Sequence, residues 1–151
     1  MGSQTQAFPS LTLAICDPIP KDLDRTRSVV RGLLRGLPFG RLVTVRSCLN
    51  PVDLLSNSPC DICVTETDLG AMDGFTLIER VRQRHEAAVI YVTSATDNTS
   101  ALKAWRVHAE SYLLKPLGCS EDLSRFREAL RRSIGRALEP FFADTKEQNR
   151  S

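Results

Sequence analysis

The sequence predicts an α/β fold built on a parallel sheet, and three observations carry that expectation. Five short apolar runs recur along the 151 residues. Stretches with helical apolar spacing separate them, an alternation that implies parallel strands joined by crossover helices. The runs are continuously apolar rather than alternating, as strands covered on both faces are.

The elements follow in order. Positions 1–10 form a polar leader without the charged start and apolar stretch of a signal peptide. Leu11 to Cys16 reads as a buried strand ending at Asp17 and Pro18. Pro20 opens a helix in which Leu23, Thr26, Val30, Leu33, Leu34 and Leu37 share one face, and Pro38 and Gly40 stop it. Leu42 to Val45 is a second strand. Asn50 and Pro51 start a short helix carrying Val52, Leu54 and Leu55, which ends near Asn57 to Pro59. Ile62 to Thr65 is a third strand, and a loop from Glu66 to Gly74 leads into a helix. Phe75, Ile78 and Val81 point inward on that helix, with Glu79, Arg80, Arg82 and Arg84 outward. Ala88 to Val92 is a fourth strand, capped by Thr93 and Ser94. A fourth helix is expected from about Ser100 to His108, and a fifth strand from Ser111 to Lys115. From Ser120 the spacing of Leu123, Phe126, Leu130, Ile134 and Leu138 gives a long amphipathic last helix, with Ser120, Glu121 and Asp122 suited to its start. Asp144 to Ser151 is polar and aperiodic. The folded unit is therefore placed at 11–138, with 139–151 as a tail or linker.

Composition excludes several classes. The charge is nearly balanced, 20 Lys and Arg against 18 Asp and Glu, so no basic field announces direct nucleic-acid binding. No apolar run approaches the roughly 20 residues that cross a bilayer, so neither membrane insertion nor export is expected, and a cytoplasmic setting is. Cysteines stand at 16, 48, 60, 63 and 119. Cys60 and Cys63 are formally a C-x-x-C, yet no second pair completes a zinc site. Cys63 also lies inside an apolar strand rather than at a helix N-terminus that would lower its pKa. Buried structural cysteines are the expectation, and a flavodoxin-like redox module using Cys60 and Cys63 is the weakest rival.

Open parallel sheets bind ligands beyond the carboxyl ends of their strands. Those ends carry Cys16 and Asp17, then Glu66, then Thr93 and Ser94, then Lys115 before Pro116. Two carboxylates, a hydroxyl and an ammonium converging on one crevice suit a divalent cation or a phosphoryl group.

Cys16-Asp17, Met72-Asp73-Gly74, Val92-Thr93-Ser94 and the run from Tyr112 to Lys115 and Pro116 resemble the signature of two-component receiver domains, over about residues 11–138. More narrowly, Ile90 to Ser94, Ala101 to Ala109 and Tyr112 to Pro116 resemble receivers of the LytTR class, which usually precede a DNA-binding domain. The resemblance implies a doubly wound, flavodoxin- and CheY-like three-layer sandwich with strand order 2-1-3-4-5. It also implies an aspartate phosphorylated by a histidine kinase with Mg²⁺ alongside. Counting seven residues back from Asp73 reaches Glu66, where the family has that aspartate. Cys16 replaces the first of two acidic residues, and Gly70 replaces a proline. Thr93 and Lys115 match their places, and Tyr112 matches the switch aromatic. Lys115-Pro116 resembles the family's cis peptide.

These departures lead to an atypical receiver, a pseudo-receiver that signals without being an enzyme. A thiol at Cys16 removes a hard oxygen, so Asp17, Glu66 and the carbonyl of Asp68 hold Mg²⁺ weakly or not at all. Glu66 reaches further than aspartate by about 1.5 Å on backbone-like bond lengths, which disturbs the positioning on which phosphoryl transfer depends. Its carboxylate is expected either to pair with Lys115 and bond Thr93, imitating a phosphorylated receiver, or to be inert. The rivals are a phosphorylatable, Mg²⁺-dependent receiver and, least favoured, Asp68 as acceptor through a shifted loop. Output is placed on the fourth helix, fifth strand and fifth helix, by homodimerisation or a protein partner, with Trp105, Arg106 and Tyr112 at the interface. Trp105 is read evenly as hot spot or packing. His85 is read as a solvated helix cap, and Arg125, Arg127, Arg131, Arg132 and Arg136 as an ion-paired face beside Glu121, Asp122 and Glu128.

Overall fold

The computed structural model describes residues 9–150, with side chains through 143. Most of the expected leader, and Ser151, lie outside the described residues. The chain runs β1 (Leu11–Cys16), α1 (Pro20–Arg35), a 3₁₀ turn (Gly40–Leu42), β2 (Val43–Cys48), α2 (Pro51–Ser56), β3 (Ile62–Thr65), α3 (Gly74–Arg84), β4 (Ala88–Thr93), α4 (Asn98–Arg106), β5 (Ser111–Leu114) and α5 (Ser120–Arg150). All strand pairs are parallel, and the sheet order is β2-β1-β3-β4-β5.

The pleat sends successive side chains to opposite faces, and two cores result. Leu11, Leu13 and Ile15 of β1 meet Val30 and Leu34 of α1 and Phe126, Leu130 and Ile134 of α5. Ala14 and Cys16 face the other way, with Leu54 of α2, Leu77, Ile78 and Val81 of α3, and Ala104 of α4. Each fully buried Leu or Ile contributes about 1.5–3 kcal/mol relative to exposure. The result is the expected three-layer sandwich, α1 and α5 on one side and α2, α3 and α4 on the other.

Boundaries differ where tertiary context outweighs local pattern. β2 continues to Cys48 rather than Val45, because an edge strand tolerates the half-exposed Arg46 and Ser47. α4 begins at Asn98, since Asp97 caps it and accepts from Ser100 N at 2.8 Å. β5 stops at Leu114, leaving Lys115 in the following loop. The largest difference is α5, which runs on through Pro140 to Arg150 instead of ending near 138. Proline removes one helical hydrogen bond, and beyond it Phe142 packs edge-on against Phe39 with ring centroids 6.2 Å apart.

Cys16, Cys48, Cys60 and Cys63 are buried and Cys119 is exposed, all as free thiols. The first four pack in the core beneath α2 and α3. Among the described residues, no helix is long and apolar enough to cross a membrane.

Candidate functional site at the strand carboxyl ends

Strand register brings the site together. Cys16 pairs with Thr65 across β1 and β3, and Glu66 N donates to the Cys16 carbonyl at 3.1 Å. Asp17 and Glu66 therefore leave adjacent strands at the same level. β4 ends in register beside β5, and Lys115 N donates to the Thr93 carbonyl at 2.8 Å. The Lys115–Pro116 bond is cis, the form the resemblance implied. The loop after Glu66 is pinned by the start of α3. Asp73 caps that helix by accepting from Phe75 N and Thr76 N, and Gly74 N donates to the Thr67 carbonyl at 2.7 Å. A Cβ on Gly74 would sit 2.4 Å from the Glu66 carbonyl oxygen, so the close approach requires glycine.

Lys115 is the hub. Its Nζ lies 2.7 Å from Asp17 Oδ2, 2.9 Å from Glu66 Oε1 and 3.0 Å from Asp22 Oδ2. Burial alone would lower the ammonium's pKa, but the hydrogen bonds it donates to Asp17, Glu66 and Asp22 outweigh it and hold the group well above its usual range. Asp22, in the first turn of α1, is a partner that strand-end reasoning did not find.

Glu66 is 5 % exposed and fully engaged. Besides Lys115, its Oε1 accepts from Ser94 N at 3.2 Å and Ser94 Oγ at 3.4 Å. Oε2 accepts from Thr67 N at 2.6 Å and Thr67 Oγ1 at 3.3 Å. Burial pushes the carboxyl upward, yet the Thr93 hydroxyl, the Lys115 ammonium and the Thr67 N–H together hold it below the ordinary carboxylate range. Thr93 is tied into the same cluster: its Oγ1 shares a 2.9 Å hydrogen bond with Thr67 Oγ1 and accepts from Ala95 N at 3.0 Å. Tyr112, tilted against Tyr91 at 6.2 Å, donates its hydroxyl to the Ala95 carbonyl at 2.8 Å.

Two expected pocket members are elsewhere. Cys16 belongs to the α2–α3 core, because strand alternation turns its side chain away from the side Asp17 faces; burial first, then neighbouring Cys48, pushes its thiol up to about 12. Asp68 is exposed, and its carboxylate folds back to accept from Gly70 N at 3.1 Å. That Asx-type turn satisfies it locally. The side chains present therefore do not fit Mg²⁺, which wants several hard oxygens in octahedral array. The facing oxygens of Asp17 and Glu66 are spent on an ammonium. Among the described residues, no group of three or more histidine, cysteine, aspartate or glutamate side chains is placed to hold a metal ion.

On the output side, Trp105 is 77 % exposed on α4, which excludes the packing alternative, and Leu102, Arg106 and Leu114 are exposed nearby in sequence on α4 and β5. His85 sits at the end of α3, its Nε2 2.8 Å from Asp61 Oδ1. The α5 arginines are largely ion-paired: Arg131 with Glu128, and Arg132 and Arg136 with Glu110.

The chain thus has a parallel sheet of order 2-1-3-4-5 with an acid, hydroxyl and lysine cluster at its strand carboxyl ends. The chain belongs to the "Response regulator receiver domain" family, whose profile matches residues 19–128. It is 32 % identical over 76 residues to the transcriptional activator protein IrlR of Burkholderia pseudomallei, covering 50 % of this chain and 33 % of that one. To the transcriptional regulatory protein KdpE of Mycobacterium tuberculosis it is 27 % identical over 97 residues, covering 64 % and 43 %. The chain thus spans about a third to two-fifths of the curated relatives it matches. In fold it is similar to DrrB of Thermotoga maritima, described as an OmpR/PhoB homologue, with a TM-score of 0.64 at 21 % identity over 84 % of this chain and 54 % of that one. A CheY-like receiver from Methanospirillum hungatei gives 0.65 at 18 %, over 84 % and 98 %.

Proposed function

We propose that this chain is a non-enzymatic receiver whose pocket is held by Glu66 in place of a transferred phosphoryl group. The observation that carries this reading is the Glu66 carboxylate itself, bound at once by Lys115 and Ser94. A permanent charge there is about half that of a phosphoryl group, and it needs neither donor nor metal. From Ser94 the next residue is Ala95, whose carbonyl takes the Tyr112 hydroxyl. The pocket is thereby connected to β5 and α4, and output passes through α4, β5 and α5 by homodimerisation or by docking a protein partner, with Trp105 and Arg106 at the contact.

The setting we infer is transcriptional regulation, which the names of IrlR and KdpE support. The LytTR-like residues favour one output class and the likeness to DrrB another; the parent open reading frame decides between them. A histidine kinase is the partner that receiver membership implies, docking without transfer in this reading.

Incubation with acetyl phosphate and Mg²⁺ followed by intact mass tests it. No mass gain is expected. Addition of one phosphoryl group would instead establish a working phosphotransfer receiver. The switching role has a separate test: Glu66→Gln should weaken self-association or partner binding, and unchanged association means the charge does no switching.

A further inference from the structure

The sheet has an open flank far from this pocket. β2 is an edge strand, paired only with β1, and an uncovered edge is a template for another chain. Beside it, the end of α1 and the turn that follows leave a groove of about 570 Å³. Phe39, Val43 and Val45 contribute to its apolar lining, and the charged residues around it are Arg31, Arg35 and Arg41. Among the described residues no acidic residue lines it. Among the described residues none of these three arginines is ion-paired, whereas Arg27, Arg131, Arg132 and Arg136 each face a carboxylate. Phe39 adopts φ 63°, a left-handed conformation uncommon for an aromatic residue, and is 52 % exposed.

We propose that this flank docks an extended acidic segment of a partner protein, laid along the edge of β2. Main-chain hydrogen bonds to the edge would supply affinity. Every second side chain of the segment would face the groove, apolar ones against Phe39, Val43 and Val45 and acidic ones against the three arginines that line it with them. A second copy of this chain is disfavoured as occupant, because pairing like flanks sets one arginine triplet against another. Nucleic acid is disfavoured by the apolar floor and the small number of charges. β2 and β5 are opposite edges of the sheet, so this surface is distinct from the α4–β5 output face and independent of Glu66.

The test is fluorescence anisotropy of the full chain with a labelled decapeptide of repeating Glu-Ser-Val-Ser, which puts glutamate and valine on one face of the added strand. Saturable binding is expected, weakened about tenfold or more by Arg35→Glu with Arg41→Glu and left unchanged by Glu66→Gln. Both arginines are exposed, and circular dichroism of the variant checks its folding. Four outcomes overturn the proposal: no saturation; undiminished binding by the double variant; equal binding of the matched basic peptide with lysine in place of glutamate; or tighter binding of an oligonucleotide of equal charge. Self-association that the double variant abolishes would assign the flank to a second copy instead.

Discussion

The Tyr112 hydroxyl donates to the carbonyl oxygen of Ala95 at 2.8 Å, tying β5 to the loop that also supplies Ser94 to Glu66. The aromatic is half-buried rather than swung out. One tie therefore links pocket and output face, and its removal is informative. Tyr112→Phe keeps the ring and deletes the bond. Urea unfolding should show a loss of about 1 kcal/mol, and amides of residues 94–97 should exchange faster with deuterium.

Lys115 answers three carboxylates at once. Lys115→Met leaves Asp17 and Glu66 facing each other in a pocket where both are almost fully buried. Removing one side of a buried ionic cluster costs about 3–5 kcal/mol, and the urea midpoint should fall accordingly. Asp22→Asn should cost much less, since that side chain is about a third exposed.

Acid should reveal Glu66. Its folded pKa lies below the ordinary 4.5, with burial overcome by Thr93, Lys115 and Thr67. A depressed carboxyl stabilises the fold fully above the unfolded value and loses that contribution as pH falls through the folded one. Stability followed from about pH 6 to about pH 3 should therefore drop below 4.5, and Glu66→Gln should flatten that part of the curve. Lys115 moves the opposite way: its raised pKa means its share is complete below 10.5 and declines only at higher pH.

Gly74 is the tightest contact behind the pocket. Gly74→Ala places a methyl 2.4 Å from the Glu66 carbonyl and 3.2 Å from the Tyr91 ring. Overpacking of this kind costs about 1–3 kcal/mol. The urea midpoint should shift to match, and backbone chemical shifts at Glu66 and Thr67 should move with it.

The sequence made some of this site legible and not the rest, for physical reasons. Glu66 was found because strand-end rules and the spacing from Asp73 agree on one position. Lys115 and Thr93 follow from the same rule, since parallel strands deliver their last residues to one edge. Asp22 escaped because it lies on a helix, and which way the first turn of α1 faces depends on the crossover that carries it back over the sheet. Thr67 escaped because its hydroxyl matters only once the loop is pinned by Gly74. Cys16 was placed in the pocket by its strand-end position, although strand alternation alone sends it to the opposite core. The length of α5 was hidden by Pro140, a residue that locally argues for a stop.

Four of the five cysteines lie inside the α2–α3 core while Cys119 stands outside. The protein thus carries its own chemical clock. An alkylating reagent should consume Cys119 at once and reach the others only when that half of the molecule breathes, with Cys16 further slowed by the scarcity of its thiolate. Timed alkylation read by mass spectrometry would report the opening frequency of the layer behind the pocket, with no engineered reporter.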